Sequence, residues 1–238
     1  MNKTFCKKKY LLILLLTGCL ILFNASCGLD TFYVIDPPSV YHQPIYSSIE
    51  QSENYFEFST VENDYEGIKF LGTEVYYKIY DNTSKLNTEY SNINSLATGD
   101  NSTNQAADRM IITYKYQPLR CSSETGANIL VPNQNTSRRI RIRLANYHDY
   151  EAEFSVDSSS KGIPVRNIHK NPAFSFKEIS SDLLPKADDE DYASSGSTEA
   201  IENYYICMFA VAVAQDITYS RLYSNVAYLG SVTISMVD

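Results

Sequence analysis

From Tyr204 to Gln215 the chain reads YYICMFAVAVAQ, an apolar run interrupted by no charged residue. A strand with one face in water alternates apolar and polar side chains, whereas a continuous run must be covered on both faces. The alanines at 210, 212 and 214 permit a helix instead, but the β-branched and aromatic side chains between them favour a strand. Such a strand needs one layer above it and another below.

The rest of the chain supplies partners for it. Twenty Tyr and ten Phe with no Trp, against nine Gly and eight Pro, make a strand-leaning composition. With 44% hydrophobic and 20% charged residues, wholesale disorder is excluded. Strand-like segments recur at Phe32 to Ile35, Tyr55 to Val61, Thr73 to Tyr80, Met110 to Tyr116 and Asn225 to Met236. In Thr73 to Tyr80, Val75, Tyr77 and Ile79 share the inward face, and Tyr76, Lys78 and Tyr80 the outward one. Ser84 to Leu96 places Leu86, Tyr90, Ile93 and Leu96 at helical spacing. Stretches 98–105, 125–137, 158–171 and 186–199 read as loops.

One hairpin is specified down to its register. In Arg138 to Asn146 and Tyr150 to Asp157 the even-numbered residues form the apolar set of each strand. Holding both sets on one face requires paired numbers with an even sum. A three-residue loop Tyr147-His148-Asp149 gives the sum 296, pairing Leu144 with Ala152, Ile142 with Phe154 and Ile140 with Val156. Arg143 then stands opposite Glu153 and Arg141 opposite Ser155 on the outer face. The arginine row is thereby an ordinary charged strand face, with its charge partly neutralised nearby.

The first 26 residues read as a signal peptide. Four lysines precede the 13-residue apolar run Leu11 to Phe23, which is too short for the roughly 20 residues of a membrane span. Phe23-Asn24-Ala25-Ser26-Cys27 resembles the lipobox of bacterial lipoproteins in the relaxed form found in spirochaetes. Leu16-Thr17-Gly18-Cys19 matches the usual box more closely, but cutting there would leave Leu20 to Phe23 on the mature chain. The resemblance implies that Cys27 becomes the mature N-terminus and carries acyl chains. An exported protein anchored to the cell-envelope membrane is the corresponding expectation.

Domain organisation is then a signal peptide 1–26, a lipid-anchored tether with a first strand 27–50, and a β-sandwich 51–238 with insertions near 84–108 and 158–202. Thr73 to Tyr80, with Tyr205 to Ala214 and the segment from Tyr223 to Leu229, resembles strands of fibronectin type III domains. The resemblance implies a mainly β fold: an immunoglobulin- or fibronectin III-like antiparallel sandwich carrying a helical insertion and long loops.

Chemistry is sparse. The whole chain carries a net charge of −8, and cleavage before Cys27 removes four lysines, giving −8 − 4 = −12. Nucleic acid is therefore not an expected partner. His148-Asp149 has no nucleophile elbow to serve, and no metal-ligand spacing or phosphate loop is present, so neither a cofactor nor a metal is expected. Asp188 to Asp191 reads as a solvated acidic loop. Outward Tyr76 and Tyr80 are candidates for stacking on a ligand, unless the Ser84 to Leu96 helix lies over them. Cys121 and Cys207 remain after signal removal and lipidation. In an exported chain they permit a disulfide worth about 4 kcal/mol in the chain-entropy model, against the alternative of two separate thiols. Two function classes stay open: a non-enzymatic binding or structural envelope protein with a protein or glycan partner, and a glycan-binding or glycan-hydrolysing sandwich.

Overall fold

The computed structural model describes residues 34–45, 51–61, 67–98, 104–123, 130–176, 183–197 and 200–236. The segment read as a signal peptide, Cys27, Phe32 and Tyr33 lie outside them. Two sheets dominate, and the fold is mainly β with antiparallel pairing and a helical insertion.

The smaller sheet takes the order β1 (Ser39–His42), β2 (Phe56–Ser59), β7 (Arg139–Arg143), β8 (Glu153–Val156), β9 (Ser159–Gly162). The larger is built on β3 (Ile68–Tyr80) and β12 (Asn203–Asp216), paired antiparallel from Tyr205–Tyr80 to Asp216–Ile68. β12 also pairs with β13 (Arg221–Tyr223) and β14 (Ala227–Ser235). Along β3 lie β4 (Gln117–Pro118), β6 (Leu130–Pro132) and, in parallel, β11 (Tyr192–Ala193). A third pairing joins β5 (Arg120–Cys121) to β10 (Pro164–Val165).

The apolar run of β12 is explained by what covers it. Ile206, Met208 and Ala210 enter the core between the sheets, beside Phe56, Phe58, Ile140 and Ile142. Cys207, Phe209, Val211 and Val213 point the other way, beneath α1 (Thr83–Ala97) and α2 (Gln105–Asp108). Both faces are dry, as continuous apolarity requires. β3 divides in the same way: Val75, Tyr77 and Ile79 face the intersheet core, and Tyr76 and Tyr80 face the helices.

α1 begins where Asn82 Oδ1 accepts from the Ser84 and Lys85 amides at 2.8 and 3.2 Å, satisfying two of the helix's free donors. Its inner face is Leu86, Glu89 and Ile93, with Tyr90 and Leu96 packed alongside.

The Arg138 to Asp157 hairpin forms in the expected register: Ile140–Val156, Arg141–Ser155, Ile142–Phe154 and Arg143–Glu153. The tip departs from it. Tyr147 and Tyr150 exchange both backbone hydrogen bonds, leaving a two-residue turn of His148 and Asp149. The Asn146 side chain accepts from the Ala152 amide at 2.8 Å and absorbs the extra residue, so Leu144 and Ala152 are not paired.

Several other expectations are corrected. Met110 to Tyr116 is not a strand: α2 runs into a π-helical turn, Arg109–Thr113, closed by Tyr114 N–H donating to Arg109 C=O at 2.9 Å. The β-branched residues suggest extension, but packing decides: Ala106, Ala107 and Met110 are buried while Ile112 is 69% exposed. Val34 and Ile35 are not strand, and the first strand among the described residues is β1, inside the stretch read as tether. Short strands β6, β9, β10 and β11 occupy stretches read as loop, being too brief to show a pattern.

Candidate functional site

On the outer face of the smaller sheet, β7 projects Arg139, Arg141 and Arg143, the side opposite buried Ile140 and Ile142. Glu57 of β2, paired with Arg141, reaches two of them: Oε1 lies 3.3 Å from Arg139 Nη1 and Oε2 lies 3.2 Å from Arg141 Nε. One carboxylate therefore holds two guanidinium groups in line. The expected Arg143–Glu153 ion pair is replaced by other contacts, for Arg143 Nη2 donates to the Ser52 carbonyl at 3.0 Å. Arg143 is nevertheless buried, and its Nε has no hydrogen-bond partner. Burial, then neighbouring Arg141, pulls its pKa down.

Tyrosines interleave with these arginines. Arg139 lies 3.7 Å from the Tyr41 ring centre, Arg141 4.0 Å from Tyr55, and Arg143 4.9 Å from Tyr150. β1 makes this possible through an irregularity between Val40 and His42 in its pairing with β2. A bulge of this kind re-aims side chains, here placing Tyr41 over Arg139 and His42 over Tyr55. His42 stacks on Tyr55 at 3.9 Å, so the Tyr55 ring is filled on both sides, by imidazole and guanidinium. Tyr41, 60% exposed, and Tyr150, 41% exposed, keep ring surface open to solvent at the two ends of the row. The result is a pre-organised row of guanidinium and aromatic groups along one sheet face.

The residues singled out from sequence lie elsewhere. Tyr76 and Tyr80 are buried, at 4% and 0% exposure, because the helical insertion covers them, and neither offers a ring for stacking. The Tyr80 hydroxyl donates to Glu89 Oε2 at 2.7 Å, and Lys78 Nζ donates to the same oxygen at 3.0 Å and to the Tyr114 carbonyl at 2.6 Å. This buried cluster secures α1 and the turn after α2 to the sheet. Cys121 and Cys207 are free thiols in separate clusters, Cys121 in the intersheet core and Cys207 beneath the helices. No disulfide joins them. Burial pushes the Cys207 thiol up to about 12, and the Cys121 thiol donates to the Lys161 carbonyl at 2.9 Å. Cys27 lies outside the described residues.

The acidic loop is also corrected. Asp191 is fully buried, and Asp189 is mostly so, because both bind buried Arg166. Among the described residues no group of His, Cys, Asp and Glu could hold a metal ion. His148 and Asp149 sit in the exposed hairpin turn, 2.9 Å apart. No family model, curated protein or solved structure matches the chain.

The arginine row is legible in sequence, but only as an ordinary charged strand face; its tyrosine partners are not. Tyr41 and Tyr55 lie about 85 to 100 positions before β7 (139 − 41 = 98 and 141 − 55 = 86), and only sheet order β1-β2-β7 brings them together.

Proposed function

We propose that this is a lipid-anchored cell-envelope protein acting as a non-enzymatic binding module, with the outer face of the smaller sheet as its binding surface and another protein as its partner. The observation that carries the reading is the row of Tyr41, Arg139, Arg141 and Tyr150, set in place by Glu57, by the β1 irregularity and by buried Arg143 against the Tyr150 ring. Tyr and Arg are the side chains that concentrate binding energy at protein interfaces, and here they recur along one sheet face. Anchoring through Cys27 rests on the lipobox-like FNASC segment and the short apolar run before it.

One observation favours a glycan as the second reading: the open rings of Tyr41 and Tyr150 flank guanidinium groups that could bond sugar hydroxyls or carboxylates. Photo-crosslinkers placed at Tyr41 and Tyr150 in cells test the protein reading. A discrete adduct from both positions, lost on Arg141→Ala and not formed from Asn87 on α1, supports it. No adduct, together with retention of the protein by envelope polysaccharide, selects the glycan. Intact-mass analysis of detergent-extracted protein tests acylation of Cys27.

A further inference from the structure

The turn joining β12 to β13 holds two of the most exposed apolar side chains among the described residues: Ile217, 79% exposed, and Tyr219, 81% exposed. It is firmly built. Asp216 Oδ1 accepts from the Thr218 amide at 2.8 Å, the Thr218 hydroxyl at 2.7 Å and the Ser220 amide at 2.8 Å. Tyr219 N–H donates to Asp216 C=O at 3.1 Å, and Gln215 Nε2 donates to Tyr219 C=O at 3.1 Å. Tyr219 sits at φ +65°, a conformation that a bulky residue adopts only at a cost. A rigid, strained turn that presents Ile and Tyr to water is poorly explained by solubility or by folding.

Its place in the fold indicates what it meets. Ile35, almost the first described residue, packs with Phe70, Ala212 and Ala214, and Leu222 lies against the same cluster. Those residues flank the base of this hairpin. The chain therefore enters the domain at the end that carries Ile217 and Tyr219. From Cys27 to Val34 is seven steps (34 − 27), which reach at most about 25 Å when extended.

We infer that Ile217 and Tyr219 form a second membrane contact, seated in the interfacial layer of the bilayer that holds the acylated Cys27. The inference rests on the anchor proposed above. Tyrosine, with an apolar ring and a polar tip, is the side chain expected at that depth, and Ile217 beside it would reach the upper acyl chains. The lipid anchor brings the turn to the surface, and the turn in its place fixes the domain's orientation. The Tyr80 end of β3 then points away from the membrane, about 40 Å along the strand.

The chain contains no tryptophan, so an introduced indole reports alone. The full chain carrying Ile217→Trp, and separately Tyr219→Trp, is produced in a host that lipidates it, and its intact mass is measured. It is then reconstituted into phosphatidylcholine vesicles brominated in the upper acyl chain. Asn87→Trp, on exposed α1 near the far end of β3, is the comparison. The expected result is a blue-shifted emission and at least twofold greater bromine quenching at positions 217 and 219 than at 87. Acylated protein with equal, water-like emission at all three positions overturns the membrane contact and leaves the anchor standing. Indoles exposed in these vesicles but shielded in native envelope membranes assign the turn to an envelope protein and overturn it equally. An unacylated Cys27 removes the anchor and this inference together.

Discussion

Asp191 gives both carboxylate oxygens to Arg166, with Nε at 2.9 Å and Nη2 at 2.6 Å, and neither side chain touches solvent. Burial alone would lower the guanidinium's pKa, but the bonds to Asp191 and then Asp189 outweigh it and hold the pKa above the ordinary arginine value. Tyr77 donates to the same Asp191 at 2.6 Å and accepts from the Asn167 amide at 2.7 Å. The pair thus fastens the insertion around 158–202 to the centre of the larger sheet.

Removing one partner of a buried pair leaves the other charge stranded. Asp191→Ala should cost about 3–5 kcal/mol. That corresponds to a fall in Tm of roughly 10 °C for a domain of this size, checked by calorimetry. The double variant Arg166→Met/Asp191→Leu should recover part of the loss, since the fully buried guanidinium goes with its partner, while Asp189 loses its cation and Tyr77 its acceptor. A single variant as stable as the parent would show that the pair does not hold the insertion.

Two substitutions on opposite faces of the smaller sheet distinguish the buried row that sets its register from the ion pairs that the register merely permits. Ile142→Ala removes a fully buried side chain opposite Phe154 and should cost about 2–5 kcal/mol in urea unfolding. Glu57→Ala breaks two ion pairs whose arginines are 49% and 42% exposed, and should cost at most about 1 kcal/mol. The reverse order would mean that the charged face determines the pairing.

Alkaline pH should weaken the fold through Cys207. Burial raises its thiol from 9.0 to about 12, so between those values the unfolded chain releases a proton that the folded chain keeps. Folded protein then binds more protons, and stability falls as pH rises from about 9 to about 12. Cys207→Ala should reduce this slope between about pH 9 and 10, above which buried tyrosines such as Tyr80 and Tyr116, also pushed up by burial, add to it. The native protein at pH 8 should show no thiol modification at position 207 until denatured.

Gly72 lies where the β3–β12 register shifts, at φ +142°, and a Cβ there would come within 2.0 Å of the Val131 carbonyl oxygen. Gly72→Ala should therefore cost more than the 1–3 kcal/mol or so of backbone strain alone, because β6 must also move. Amide exchange should detect the loss first at Leu130 and Val131 and at Thr73 and Glu74, their partners on β3.

What the sequence determined by itself is periodic. Alternation over Arg138 to Asp157 contains its own register, the continuous run at Tyr204 to Gln215 demands two covering layers, and the spacing from Leu86 to Ile93 marks the helix. These hold because burying an apolar row outweighs any single polar contact, and periodicity records which row is buried. Tertiary structure alone decided the fate of individual polar groups. Nothing local distinguishes Asp191, fully buried on Arg166, from Asp188 in the same acidic run. Tyr80 is dry because a helix closes over it, while Tyr41 is open because its strand lies at a sheet edge. Met110 to Tyr116 has β-branched content yet winds into a helical turn, since Met110 and the alanines before it fill the space beneath α1. A polar or aromatic side chain takes its environment from residues far along the chain, and local pattern carries no record of them.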